Sequence, residues 1–455
     1  MAENSTYEIT DRISEYTGLC RKNFDINPDL YGKYDVKRGL RDVNGKGVLT
    51  GLTKIAEVKS YTIDDGDIIP CEGKLYYHGI NMEQIVNGFT ADGRFGFEEV
   101  AYLLLFGELP NKQQLERFNQ DLVFYRDLPT SFTRDVILRA PSRNIMNSLA
   151  RSVLTLYTYD DKADCTDIDI VMRQSLQMIA RLPRLAVYSY QGLMHYYEDQ
   201  SLVIHAPSPE LSIAQNILYM LRPDQSFTPL EAQVLDIALV VQADHGGGNN
   251  STFTTRVVTS SGTDTYSTIA AALGSLKGPR HGGANVKVAE MFEDMKVKVK
   301  NWTSDAEVSQ YLSDILDKKA FDNAGLIYGM GHAVYSVSDP RAEIFKKYVK
   351  VLAHEKGRDD ELELYMMVER LAPEVINSKR KTFKPISANI DFYSGFVYSM
   401  LGLPKELFTP IFAISRVAGW CAHRIEELLN NSKIIRPAYK NVTKHCEYIN
   451  INDRK

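Results

Sequence analysis

Three of the nine histidines, His245, His281 and His332, each sit in a glycine-bearing polar break between apolar helical runs, and a fourth such break holds Asp391. The words are ADHGGGNNST, LKGPRHGGAN, YGMGHAVYSVSDPR and SANIDFYSG. Imidazole and carboxylate move protons near neutral pH, and glycine lets backbone approach a ligand closely. Chemistry concentrated in this way implies an enzyme.

Each residue has a functional and a plain structural reading. His245 follows an apolar run and opens Gly246-Gly247-Gly248, so it falls at a helix C-terminus, where the macrodipole favours an imidazolium able to hold an anion; the alternative is a cap for orphan carbonyls. His281, between Pro279 and Gly282-Gly283, lies in a turn whose exposed amides and imidazole make an oxyanion nest, or else in a structural glycine turn. His332 precedes Arg341 by nine residues, and Arg341 belongs to the first turn of a helix capped by Ser338 or Asp339 with Pro340 at its start. A helix N-terminus with a guanidinium fork selects carboxylate or phosphate, against the plainer reading of a surface salt bridge. Asp391, between Ile390 and Phe392, is either a desolvated general base or the N-cap of the helix starting at Phe392. Arg416, inside the apolar word FAISRVAGW, and Arg436, in IIRPAY, are cations that call for an anion. Three histidines, an aspartate and three arginines together describe a pocket for a small polycarboxylate, with acid and base groups to make an enol.

The elements that must position these residues are almost all helical. FEEVAYLLLFG, LERFNQDLVFY, MNSLARSVLTLY, VMRQSLQMIARL, LSIAQNILYML and LEAQVLDIALVVQA repeat apolar residues at three-and-four spacing. Thr228-Pro229-Leu230-Glu231 and Ser304-Asp305-Ala306-Glu307 read as capping boxes. From Glu57 to Gly79, alternating segments around the turn DDGD predict a β-hairpin. Residues 1–55 read as a polar arm. From 285 to 390 the helices become more charged, as in VKVAEMFEDMKVKVK and ELELYMMVERLAPEV, which predicts a smaller helical domain inserted into a large one made of 1–284 and 391–455, with hinges near His281 and Asp391.

Length and composition agree. A chain of 455 residues with 44% hydrophobic and 24% charged residues is long enough for more than one domain and not disordered. A net charge of -5 recruits no nucleic acid. Five scattered cysteines without CxxC spacing predict neither a disulfide framework nor a zinc site, and fit reduced thiols in the cytoplasm. The acidic start MAENSTYEITD lacks the apolar core of a signal peptide, and no run is long enough to cross a membrane.

The words GPRHGGAN, GMGHAVYSVSDPR, NIDFYSG, SRVAGWCAH and RPAY stand in the order and at about the separations found in citrate synthase, and from about Gly39 to Tyr439 the chain resembles the si-type citrate synthase family. The resemblance implies an all-α, two-domain fold with a small N-terminal β-hairpin, and an acyltransferase of the tricarboxylic acid cycle that condenses acetyl-CoA with oxaloacetate and water. It implies Asp391 as the base on the acetyl methyl, His281 as donor to the thioester oxygen, and His332 as donor to the oxaloacetate carbonyl. His245, Arg341 and Arg416 match the residues that hold oxaloacetate, and Arg436 the one lent by the neighbouring subunit of a homodimer. Coenzyme A is expected along the inserted domain, against Leu326, Gly329, Met330 and Gly331, with Lys379, Arg380, Lys381 and Lys384 either near its phosphates or an ordinary solvated loop. No cofactor or metal is implied, since acetyl-CoA is a substrate. The chain departs from the family at Gly246, where an acid is usual, at His78, where arginine is usual, and at Ala333, where many bacterial members have arginine.

Three other readings remain. 2-Methylcitrate synthase shares the fold and takes propionyl-CoA, and one methylene in a pocket is worth only about 1 to 3 kcal/mol. A metal enzyme would use the same His and Asp set, although the arginines would repel a divalent cation. A non-catalytic helical scaffold is disfavoured by the intact His281, His332 and Asp391.

Overall fold

The computed structural model describes residues 9–42, 46–64, 67–332, 334–381, 385–430 and 433–454. The chain divides into two compact units, Met1–Gly51 and Leu52–Lys455. In the first, the arm read from sequence contains two helices, α1 (Asp11–Asn23), capped by the Thr10 hydroxyl, and the single-turn α2 (Asp29–Lys33); neither has a buried residue.

The second unit opens with β1 (Ala56–Asp64) and β2 (Asp67–Tyr77), paired antiparallel with Ala56 opposite Tyr77 and Asp64 opposite Asp67. The hairpin gains a third strand, β3 (Ile80–Asn81), too short to leave a period in the sequence. Gly73, Leu75 and Tyr77 point inward, as the two-residue strand repeat requires.

Helices follow: α3 (Met82–Ala91), α4 (Phe97–Phe106), α5 (Lys112–Tyr125), α6 (Ile145–Leu156), α7 (Ile168–Tyr197), α8 (Ile213–Leu221), α9 (Pro229–Gln242), α10 (Asn250–Thr259) and α11 (Thr265–Lys277). Then come α12 (Ala284–Lys298), α13 (Asp305–Leu316), α14 (Pro340–Glu355), α15 (Asp359–Arg380), α16 (Ile390–Met400) and α17 (Phe408–Asn430). The apolar words of the sequence lie in α4 to α9. The run VMRQSLQMIARL does not stop at the proline that follows it: α7 continues through the buried Pro183 to Tyr197, packed against α5, α6, α8 and α17.

Thr228 and Glu231 form the reciprocal box at the start of α9. The second expected box is only half formed. The Ser304 hydroxyl accepts from Glu307 N, but the Glu307 carboxylate turns away to accept from Lys300 N and Asn301 N, 3.1 Å each. Helix α17 is the central element, packed against α4, α7, α9, α10 and α11. Helix α12 packs on α16 and α17, while α14 lies against α9 and α16. Among the described residues no helix is long and apolar enough to cross a membrane.

Candidate active site

Asp339 organises the site. It is the N-cap of α14, settling the choice left open with Ser338, and its Oδ1 accepts from Arg341 N at 3.0 Å. The same carboxylate takes the Arg341 guanidinium in a fork, Nε at 2.9 Å and Nη2 at 2.7 Å, so Arg341 is in a buried pair, not a surface one. Asp339 outweighs burial and raises the Arg341 pKa, which keeps the guanidinium charged. Asp339 Oδ2 also accepts from Ile390 N at 3.2 Å, which ties the start of α14 to the start of α16.

Asp391 lies at that junction, and it is not the helix cap. Asn389 caps α16 through Oδ1, accepting from Asp391 N at 3.0 Å, and its Nδ2 donates to Gly331 O at 2.7 Å. Asn389 N donates to Gly329 O and Gly331 N to Ser387 O, so the strand-like segment before His332 is stitched to the segment before Asp391. Gly329 is required here, since φ is +81° and a Cβ would stand 2.9 Å from Phe392 Cα. Relieved of capping, the Asp391 carboxylate accepts no hydrogen bond among the described residues. Burial, with a further push from Asp339 against the pull of Arg341 and Arg416, lifts its pKa to about 6.

The histidines present complementary tautomers. His332 Nδ1 accepts from Val334 N at 3.0 Å and Tyr335 N at 3.1 Å, which leaves the proton of the neutral ring on Nε2. His281, in the turn between α11 and α12, accepts through Nε2 from Ser251 N, with Ser251 Oγ at 3.0 Å, and so carries its proton on Nδ1. Ser251 Oγ is itself held by Trp420 Nε1 of α17 at 3.1 Å. Burial, then Arg416, pushes His281 down to about 4.

His245 corrects a reading of the sequence. The macrodipole argument favours an imidazolium, yet burial and the neighbouring Arg341, His332, Arg416 and His281 drive its pKa well below the usual value, so the ring is neutral. It does not cap α9 either: Nε2 is buried with no partner among the described residues. Its ring stands 5.4 Å from those of both His332 and Tyr335. Behind it, the Tyr77 hydroxyl of β2 donates to Val240 O at 3.0 Å and fixes the end of α9.

Arg416 is 0% exposed. Its Nε donates to Gln242 O at 2.7 Å, but Nη1 and Nη2 have no partner among the described residues. The guanidinium lies 4.8 Å from the centre of the Phe412 ring, which stands nearly perpendicular to the His281 ring with centres 6.2 Å apart. Burial lowers its pKa to about 10, so it remains a cation at neutral pH with an unused fork. A buried, unpaired guanidinium is costly unless an anion completes it.

The structure thus gathers His245, His281, His332, Arg341, Asp391 and Arg416. It does not gather Arg436, which is exposed on the irregular segment after α17 and makes no described contact with the cluster. Leu326 is exposed, Met330 pairs with Ala388, and Lys379 is held by both oxygens of Asp317 at 2.8 and 2.9 Å. Lys384 and Ala333 lie outside the described residues. Sequence reading missed Asn389, Ser251, Gln242 and Tyr335; only Asn389, two residues before a helical aspartate, has the local signature of a cap. Among the described residues no three His, Cys, Asp or Glu side chains are grouped to hold a metal ion. A cavity of about 440 Å³ elsewhere, between α4, α5 and the start of α8, has Glu98 and Arg126 in its lining but no histidine.

These features define a helical enzyme with an acid–base centre beside a buried cation. The chain belongs to the citrate synthase family: residues 44–438 match the family model described as citrate synthase, C-terminal domain. It is 34% identical to the citrate synthase of Synechocystis sp., over 84% of this chain and 89% of that one, and 31% identical to a 2-methylcitrate synthase of Shewanella oneidensis, over 84% and 90%. Its fold is similar to that of citrate synthase from the thermophilic archaeon Thermoplasma acidophilum, solved as a ternary complex with carboxymethyl coenzyme A and oxaloacetate, with a TM-score of 0.75, 27% identity, and coverage of 92% of this chain and 99% of that one.

Proposed function

We propose that the protein condenses acetyl-CoA with oxaloacetate and water to give citrate and CoA, with Asp391, His281 and His332 as catalytic residues. The observation that carries this reading is the pairing of a carboxylate held near pKa 6, which accepts no hydrogen bond among the described residues, with two neutral imidazoles of opposite tautomer. Asp391 removes a methyl proton from acetyl-CoA. His281 donates from Nδ1 to the thioester oxygen as the enolate forms, a contribution of about 3 kcal/mol or more for an oriented donor in a water-poor site. The enol carbon attacks the oxaloacetate carbonyl while His332 donates from Nε2 to its oxygen, and the resulting citryl-CoA is hydrolysed.

Arg416 offers its fork to one oxaloacetate carboxylate, while Arg341 and His245 hold the rest of the molecule. Arg436 joins from the neighbouring subunit of a homodimer, which its exposure on the last segment leaves room for. Segment 285–390 acts as a small domain that closes on the site and excludes water, and CoA runs along Leu326 to Gly331 with Lys379 and Lys384 toward its phosphates. The working compartment in this reading is the cytoplasm.

Thiol release from acetyl-CoA and from propionyl-CoA, each with and without oxaloacetate, tests the assignment. It predicts release that requires oxaloacetate and a higher kcat/KM for acetyl-CoA. A preference for propionyl-CoA would mark a 2-methylcitrate synthase, and no release with either thioester would refute the reaction.

A further inference from the structure

Behind His245 runs a chain of buried charges for which the reaction steps above have no use. In α10, Arg256 pairs with Glu427 at 2.9 Å and with Glu426, both from α17. Its Nε and Nη2 both point at His423 Nδ1, 3.1 and 2.7 Å away. A guanidinium only donates, so His423 Nδ1 accepts and the ring proton sits on Nε2. His423 Nε2 in turn lies 3.2 Å from Asp244 Oδ1, both side chains being 0% exposed; the contact is one of charge and dipole, not an aligned hydrogen bond, and neither atom has another partner among the described residues. The other oxygen, Asp244 Oδ2, accepts from Gly246 N at 2.7 Å and closes the turn that carries His245 between them.

The packing is tight where α17 meets Asp244 and ordinary around Gly247. Gly419 of α17 touches Asp244 so closely that a Cβ would stand 2.5 Å from Oδ1, and a Cβ on Gly247 would meet Arg256 Nε at 3.4 Å and His423 Cε1 at 3.8 Å. Gly246 has φ +76°, a conformation open to glycine and strained for a residue with a side chain. The charge of Asp244 is also felt by Arg416, whose cationic form it supports.

We infer that Asp244 and His423 are positioning residues for oxaloacetate: Arg256 fixes the His423 tautomer, the Nε2–H side of the His423 ring stands against the Asp244 carboxylate at 3.2 Å, and Asp244 fixes the turn that aims His245 into the site. The inference rests on the reading of His245 as an oxaloacetate ligand. Neither residue touches a reacting atom. Their loss therefore weakens a contact that His245 makes with oxaloacetate in the ground state and the transition state alike, which raises KM more than it lowers kcat.

The experiment compares H423Q, H423N and D244N for kcat, for KM toward each substrate, and for thermal unfolding. Glutamine places an N–H where His423 has Nε2, whereas asparagine reaches only the Nδ1 position. The expected result is a KM for oxaloacetate within about threefold of wild type in H423Q and raised roughly tenfold or more in H423N and D244N, with the KM for acetyl-CoA unchanged in all three. D244N keeps the volume but turns one oxygen into a donor against Gly246 N or His423. Equal effects in H423Q and H423N, an unchanged oxaloacetate KM in both H423N and D244N, or failure of both to fold would each overturn the inference. Wild type that releases no thiol with oxaloacetate present would instead remove the reaction on which it rests.

Discussion

Asp391→Asn should abolish turnover and make the protein more stable. The carboxyl pKa stands at about 6 in the folded chain against the usual 3.8, and the cause is burial. Below pH 3.8 both folded and unfolded chains hold the proton, so Asp391 has no electrostatic cost. As pH rises from 3.8 to 6 the unfolded chain releases its proton and the folded chain does not, and stability falls until both are ionised. The full difference is about 3 kcal/mol, and allowing for the partial exposure of the residue about 2 kcal/mol remains at neutral pH. Asparagine has the same shape and no charge, and the carboxylate has no hydrogen bond to lose among the described residues. Urea unfolding of wild type and D391N at pH 4 and at pH 7.5 should give a difference of about 0.5 kcal/mol or less at the lower pH and a gain of about 2 kcal/mol for the variant at the higher. Turnover should fall by at least about a hundredfold, the lower end for a general base. In wild type, kcat should decline about tenfold from pH 7 to pH 5 as Asp391 takes up its proton, with His281, pushed down to about 4, contributing nothing to that limb. A variant less stable at pH 7.5, or one displaced equally at both pH values, would refute the electrostatic reasoning.

Two further substitutions test neighbouring parts of the account. Arg416→Met removes a buried cation whose Nη atoms have no partner among the described residues but also the Nε hydrogen bond to Gln242 O, so the two effects offset and unfolding should shift by no more than about 1 kcal/mol, while the KM for oxaloacetate rises about a hundredfold through the loss of about 3 kcal/mol of charge-assisted hydrogen bonding. Gly329→Ala places a Cβ 2.9 Å from Phe392 Cα at φ +81° and should cost about 2 to 3 kcal/mol in urea unfolding and lower kcat by shifting Asp391, whereas Gly248→Ala, with open space around it, should leave both within error.

What sequence revealed and what it concealed divide along the distance over which each feature is determined. The helices α4 to α9 and the Thr228 box are local patterns, and they are present as read. The failed half of the Ser304 box is also local in sequence, but the conformation of the preceding residues decides it, offering Lys300 N and Asn301 N to the Glu307 carboxylate. Pro183 ends a periodic word without ending α7, because packing by other helices overrides a single missing N–H. His245 is the sharpest case: helix position argues for a charged ring, and burial beside Arg341 and Arg416, brought from far along the chain, makes it neutral. For Asp391 the two local readings, base and cap, are separated only by Asn389 taking the cap. Asp244 and His423 left no chemical signal of their own, since a buried aspartate and a helical histidine become a pair only when α17 meets the end of α9.

The central claim is that six residues from distant segments converge on one oxaloacetate. A crystal structure of the wild-type protein with oxaloacetate bound tests it most directly. The account predicts one carboxylate within hydrogen-bonding distance of Arg416 Nη1 and Nη2, the carbonyl oxygen facing His332 Nε2, contacts to Arg341 and His245, and Asp391 and His281 Nδ1 on the open side of the carbonyl carbon. Oxaloacetate seated elsewhere, or lying against Arg416 with Asp391 and His281 turned to other partners, would contradict it.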